Sequence, residues 1–68
     1  MDKKLNNHLY NLFNQMIQEH KSIWRIEKFY LKDAKNYKKC LSFWQKLSKN
    51  KEMLIKEIFD LINDHKIN

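Results

Sequence analysis

Three side chains on one short stretch, Glu19, His20 and Glu27, are the candidates for metal chemistry in this chain. Glu27 follows Glu19 by eight residues, close to two helical turns, so on a helix both carboxylates face the same way. Two copies of the stretch, facing each other across a symmetric dimer, would surround a shared ion with carboxylates and imidazoles. A rival use for Glu19 comes from Lys51, the one cation inside an otherwise apolar seam. If the chain folds back on itself, Lys51 lies opposite Glu19 and its ammonium neutralises the carboxylate. In that case Glu27 bonds Trp44 or a nearby lysine, and His20 sits at a boundary. Cys40 is the only cysteine, and nothing in the sequence supplies the base and orienting partner that a nucleophilic thiol needs. It is expected to be a buried packing thiol, and the chain is expected to be no enzyme, with no metal and no cofactor.

The elements that must position these residues are helices. In heptad steps the first half reads Leu5, Leu9, Leu12, Met16, Glu19, Ile23, Ile26, Tyr30, and the second Cys40, Trp44, Leu47, Lys51, Leu54, Ile58, Leu61, His65. A second stripe, Phe13, Ile17, His20, Trp24, Glu27, Leu31, Ala34, widens the first apolar face beyond a coiled-coil seam and suits a bundle helix with two neighbours, and Leu41, Ile55 and Ile62 double the face of the second helix. Asp33 to Asn36 form the turn, because Asn tolerates the left-handed conformation and also caps a following helix. The expected fold is all-α: a helix over about 3–34, a turn at about 35–36 and a helix over about 37–65, forming an antiparallel hairpin. Glu19 and Lys51 are then about equally far from the turn. Ser48 and Asn50 are mediocre helix residues and a break near Ser48 to Lys51 would give three helices; the unbroken phase from Leu47 to Leu54 favours one.

Length and composition say why a partner is expected. A chain of 68 residues buries only about 60% of its unfolded surface, so one hairpin is marginal and a second copy or another protein is the natural remedy. The predicted core and pairing face comprises Leu9, Leu12, Met16, Ile23, Trp24, Tyr30, Trp44, Leu47, Leu54, Ile58 and Leu61. The sequence holds no Gly and no Pro, which favours long helices and excludes Gly-rich phosphate loops. No signal-like apolar core opens the chain and no run approaches a membrane span, so a cytoplasmic protein is expected.

The net charge of +6 makes nucleic acid a second candidate partner. Lys35, Lys38, Lys39, Lys46 and Lys49 form a basic face, but Arg25 is the only arginine, and bidentate recognition of bases and phosphates favours arginine. Lys, Asn and Ile fill 28 of 68 positions, a bias that a low-GC genome also produces, so much of the charge is compositional.

The run Asn14 to His20, the Phe29-Tyr30-Leu31-Lys32-Asp33-Ala34 end and Phe43-Trp44-Gln45-Lys46-Leu47 together resemble a ferritin-like or rubrerythrin-like hairpin. The resemblance spans roughly 14–62. It implies a first-helix glutamate, matched by Glu19, and a Glu-x-x-His motif on the second helix, with two hairpins completing a four-helix bundle around two irons. Lys51 and Leu54 stand where that motif would lie. What the resemblance implies here is a scaffold without the complete metal site, in which the lysine takes the place of the ion and the Glu19–Lys51 layer fixes helix register.

Overall fold

The computed structural model describes residues 7–67, with side chains described as far as Asp64. The described chain is all-helical, 93% helix with no strand. The first arm is α1 (Asn7–Arg25), a π-helical turn (Ile26–Tyr30) and a last short helix α2 (Leu31–Asp33); the second arm is α3 (Lys38–Ile67). Leu5 and the predicted helix start at 3–6 lie outside the described residues, as does the side chain of His65.

α3 runs unbroken for 30 residues, straight through Ser48 to Lys51. Tertiary contact overrides the low helix propensity there: Ser48 is 8% exposed and Lys51 is held by Glu19 of the first arm. The covered positions of α3 are Leu41, Trp44, Leu47, Ser48, Lys51, Ile55, Ile58 and Ile62. Of the two lines on the doubled face read from sequence, the one through Leu41, Ile55 and Ile62 is covered together with Trp44, Lys51 and Ile58, whereas Cys40, Leu54 and Leu61 on the other are exposed, and Ser48 is a buried position that the sequence reading did not include. Leu47 remains half-buried, whereas Leu54 and Leu61 are 46% and 48% exposed. The two candidate seams share every seventh residue, so periodicity alone cannot choose between them. A small serine at the contact, rather than a leucine, allows the helix axes a closer approach.

On α1 the seam is Leu9, Leu12, Met16, Glu19, Ile23 and Ile26, none of them exposed. Beyond Ile26 the phase changes. The Leu31 N–H donates to the Ile26 carbonyl, five residues back, and the extra residue in that turn rotates everything after it. In an uninterrupted α-helix Tyr30 and Asp33 would follow Ile26 on the inner face. Instead Leu31 is half-buried and Ala34 is 6% exposed, while Tyr30 sits at the edge of exposure. Ile26, at 1%, and Ile62, at 2%, are the best-covered apolar side chains among the described residues. Each fully covered isoleucine contributes about 1.5–3 kcal/mol.

The turn differs from expectation as well. No described residue has positive φ, so no left-handed asparagine ends the first arm. Ala34 lies in the bridge region (φ −96°, ψ 7°), and the Tyr37 N–H donates to the Ala34 carbonyl at 2.9 Å. Tyr37, not Asn36, caps α3: its carbonyl accepts the first helical bond, from the Leu41 N–H at 2.8 Å.

Candidate functional site

Glu19 and Lys51 meet between α1 and α3. The Lys51 Nζ donates to Glu19 Oε1 at 2.7 Å, and Gln15, one turn before Glu19, donates its Nε2 to Oε2 at 2.7 Å. The side chains of Lys51 and Glu19 are 19% and 12% exposed, so both charges are largely withdrawn from water. The bond from Lys51 holds the Glu19 carboxyl below the usual carboxylate range, aided by Gln15 and by the attraction of the ammonium; partial burial pushes the other way and is overcome. Two donors thus occupy both oxygens of Glu19. A metal would have to displace Lys51 to reach it.

The companions proposed for a metal site do not join Glu19. His20 and Glu27 are exposed, and Glu27 makes no side-chain hydrogen bond or ion pair among the described residues. No group of three or more His, Cys, Asp or Glu side chains able to hold a metal occurs among the described residues. Glu27 lies within the π-turn, whose altered phase undoes the two-turn alignment with Glu19. The contact of Glu27 with Trp44 or a lysine is also replaced: Trp44 packs on Tyr30, with ring centroids 4.7 Å apart and planes tilted by 44°.

Cys40 is exposed rather than buried, a correction that follows from the rotation of the α3 seam from Cys40 to Leu41. It lines an open groove of about 310 Å³ at the turn end together with Tyr30, Asp33, Ala34, Tyr37 and Trp44. This groove was not read from the sequence. Its signal is the recurrence of aromatic residues at Tyr30, Tyr37 and Trp44 around the turn, and only the π-turn brings Tyr30 to the edge.

Large apolar side chains outside the contact between the arms form two further stripes. On α1 they are Tyr10, Phe13, Ile17 and Trp24, of which Tyr10, Ile17 and Trp24 are 49–57% exposed. Trp24 extends this stripe to Phe29 through an edge-to-face contact at 5.5 Å. On α3 they are Phe43, Leu47, Leu54 and Leu61, with Phe43 set edge-on against Trp44 at 5.1 Å. Leu9, Leu12, Met16, Ile23, Trp44 and Ile58 lie between the arms, half-buried. Lys35, Lys38, Lys39, Lys46 and Lys49 are all exposed. No helix among the described residues is long and apolar enough to cross a membrane. Compared with known protein families, curated proteins and solved structures, the chain matches none.

Proposed function

We propose that this chain is a non-catalytic helical interaction module, an antiparallel hairpin that pairs with a second copy into a four-helix bundle. The observation that carries the reading is uncovered surface. Tyr10, Ile17, Trp24, Phe43, Leu54, Phe59 and Leu61, all large apolar side chains, are 46–57% exposed.

Helix phase says which face pairs. At about 100° per residue, the stripe Phe13, Ile17, Trp24 lies clockwise of the α1 seam, and Phe43, Leu54, Leu61 lie counterclockwise of the α3 seam, each viewed from its own N-terminus. Because the helices run in opposite directions, these two stripes fall on opposite faces of the hairpin. On the α1 side α3 adds Leu41 and the 53%-exposed Phe59 beside Gln45, Glu52 and Lys56, so this face carries apolar residues from both helices with a polar border on α3. On the other side α1 offers Asn11, Gln15, Gln18 and Ser22 beside the leucines of α3. The first face suits a second copy; the second remains for a different protein partner.

In this reading the Glu19–Lys51 layer sets the register of the hairpin, as buried polar pairs do in some coiled coils. The ferritin-like resemblance then describes the scaffold, with the lysine standing in for metal chemistry. No observation favours a dimeric metal-carboxylate protein built on Glu19, His20 and Glu27. A second reading, nonspecific nucleic-acid binding, is supported by the exposed row Lys35, Lys38, Lys39, Lys46 and Lys49. Retention on single-stranded DNA that collapses between 50 and 200 mM salt would identify it.

Light scattering tests the main reading. The expected molar mass is about twice 8.5 kDa, falling to one chain when Ile17→Glu and Trp24→Glu are combined, with helicity by circular dichroism retained. A monomeric unsubstituted chain sinks the proposal.

A further inference from the structure

The groove at the turn end holds one acid and no basic residue in its lining. Tyr30 and Trp44 pack ring against ring, centroids 4.7 Å apart and planes tilted by 44°, and both line the opening beside the 65%-exposed Tyr37. Aromatic faces carry the negative part of the ring quadrupole and attract cations lying over them. Asp33 is the only acid lining the groove, and its carboxylate makes no ion pair among the described residues. It also stands in the last turn of the first arm, where the helix dipole already concentrates negative charge and favours a cation. Rings, carboxylate and helix end therefore all call for positive charge at one place. Around it the sign reverses: Lys35, Lys38 and Lys39 are exposed on the neighbouring residues, and none of them lines the groove.

We propose that this groove binds a phosphocholine group, the quaternary ammonium lying against Tyr30, Tyr37, Trp44 and Asp33 and the phosphate reaching toward the lysines at the rim. A volume of about 310 Å³ suits a group of that size. A quaternary ammonium fits better than a lysine ammonium because its methyl groups shed water readily and meet the rings without unsatisfied N–H donors. A methylated-lysine peptide would meet the rings equally well but carries no phosphate for Lys35, Lys38 and Lys39 to attract. The proposal does not depend on pairing of two chains, so the molar mass in solution tests the one and ligand titration the other.

The experiment is a titration of the ¹⁵N-labelled full chain with phosphocholine, followed by NMR, reading the indole N–H of Trp44 with that of Trp24 as the internal control. A saturable shift confined to Trp44 is expected. Affinity should fall at least tenfold in Asp33→Asn and in Tyr37→Leu, which removes a ring face at an exposed position while keeping bulk. It should fall equally for 3,3-dimethylbutyl phosphate, the uncharged carbon isostere of the ammonium end. Vesicles of phosphatidylcholine, sedimented with the protein, distinguish a lipid headgroup from a soluble ester; binding of either source supports the proposal. Absence of a saturable shift, equal binding of the carbon isostere, or folded variants that bind as the unsubstituted chain does would overturn it, as would tighter binding of a trimethyllysine peptide.

Discussion

Lys51 and Glu19 set the polar character of the helix contact, and their energetics differ from those of a surface ion pair. With side chains 19% and 12% exposed, neither charge is well solvated, so loss of one leaves the other without a countercharge in a poor dielectric. Glu19→Gln or Lys51→Met alone should each cost about 1–3 kcal/mol in urea unfolding. Replacing both by methionine should recover much of that loss, giving a coupling of about 0.5–3 kcal/mol, and should let oligomeric state or register vary. Additive single effects would show that the pair does not interact energetically. The pH dependence has a definite sign. Because the folded-state pKa of Glu19 is depressed, chiefly by the Lys51 bond, its stabilisation is complete above the unfolded value of about 4.3. It is lost as pH falls from there through the folded pKa. Thermal stability should therefore drop on acidification below about pH 4.3 more steeply in the unsubstituted chain than in Glu19→Gln.

Among the elements, the π-turn at Ile26–Tyr30 has the largest consequences. It passes the inner face from the Ile26–Tyr30 line to Leu31 and Ala34, frees Tyr30 to meet Trp44, and leaves Glu27 outside. Deleting Lys28, an exposed residue within the turn, removes the extra residue, so Leu31 and Ala34 fall four and seven positions after Ile26 and keep facing α3 on a regular α-helix. The deletion, like Lys28→Ala, should therefore cost less than about 1 kcal/mol. Inserting one alanine after Lys28 instead turns Ala34 away from α3 and breaks the Tyr30–Trp44 contact. The expected result is a loss of about 2–4 kcal/mol, the scale of losing one or two well-covered apolar contacts, together with a changed near-ultraviolet dichroism from Trp44. Equal stability of the insertion and the deletion would show that the phase is incidental. α3 makes the converse point. Ser48 weakens an isolated helix, yet α3 continues through it because the contact with the first arm favours a small side chain at that level.

For the molecule as a whole, shape is the governing quantity. A body of 53 × 19 × 12 Å is only one helix thick in its shortest direction, so most residues outside the seam meet solvent. Tyr10, Trp24, Phe43, Met53 and Phe59 are all more than half exposed. Association of folded chains would then supply a large share of stability, and the melting temperature should rise with protein concentration. A tenfold increase in concentration contributes about 1.4 kcal/mol to a dimer, which for a chain this small corresponds to a rise of several degrees. A melting temperature unchanged over about two decades of protein concentration would mean that a single chain is stable by itself.

The all-helical character and the absence of strands among the described residues follow from local information. Lack of Gly and Pro removes the residues that punctuate helices, and apolar residues at steps of three and four mark both arms. Glu19 and Lys51 stand out in the sequence as charges within apolar seams, at matched distances from a turn, because a helix rises by a constant amount per residue. Tertiary structure decided the rest. The doubled apolar face of α3 carries two equally periodic lines, and the covering of Leu41, Ser48, Ile55 and Ile62 rather than Cys40, Leu54 and Leu61 depends on how closely two helices can approach, which no single helix encodes. The extra residue of the π-turn has no mark in composition or spacing. It arises where burying Leu31 and Ala34 outweighs regular hydrogen bonding, and that balance exists only once the second arm is in place.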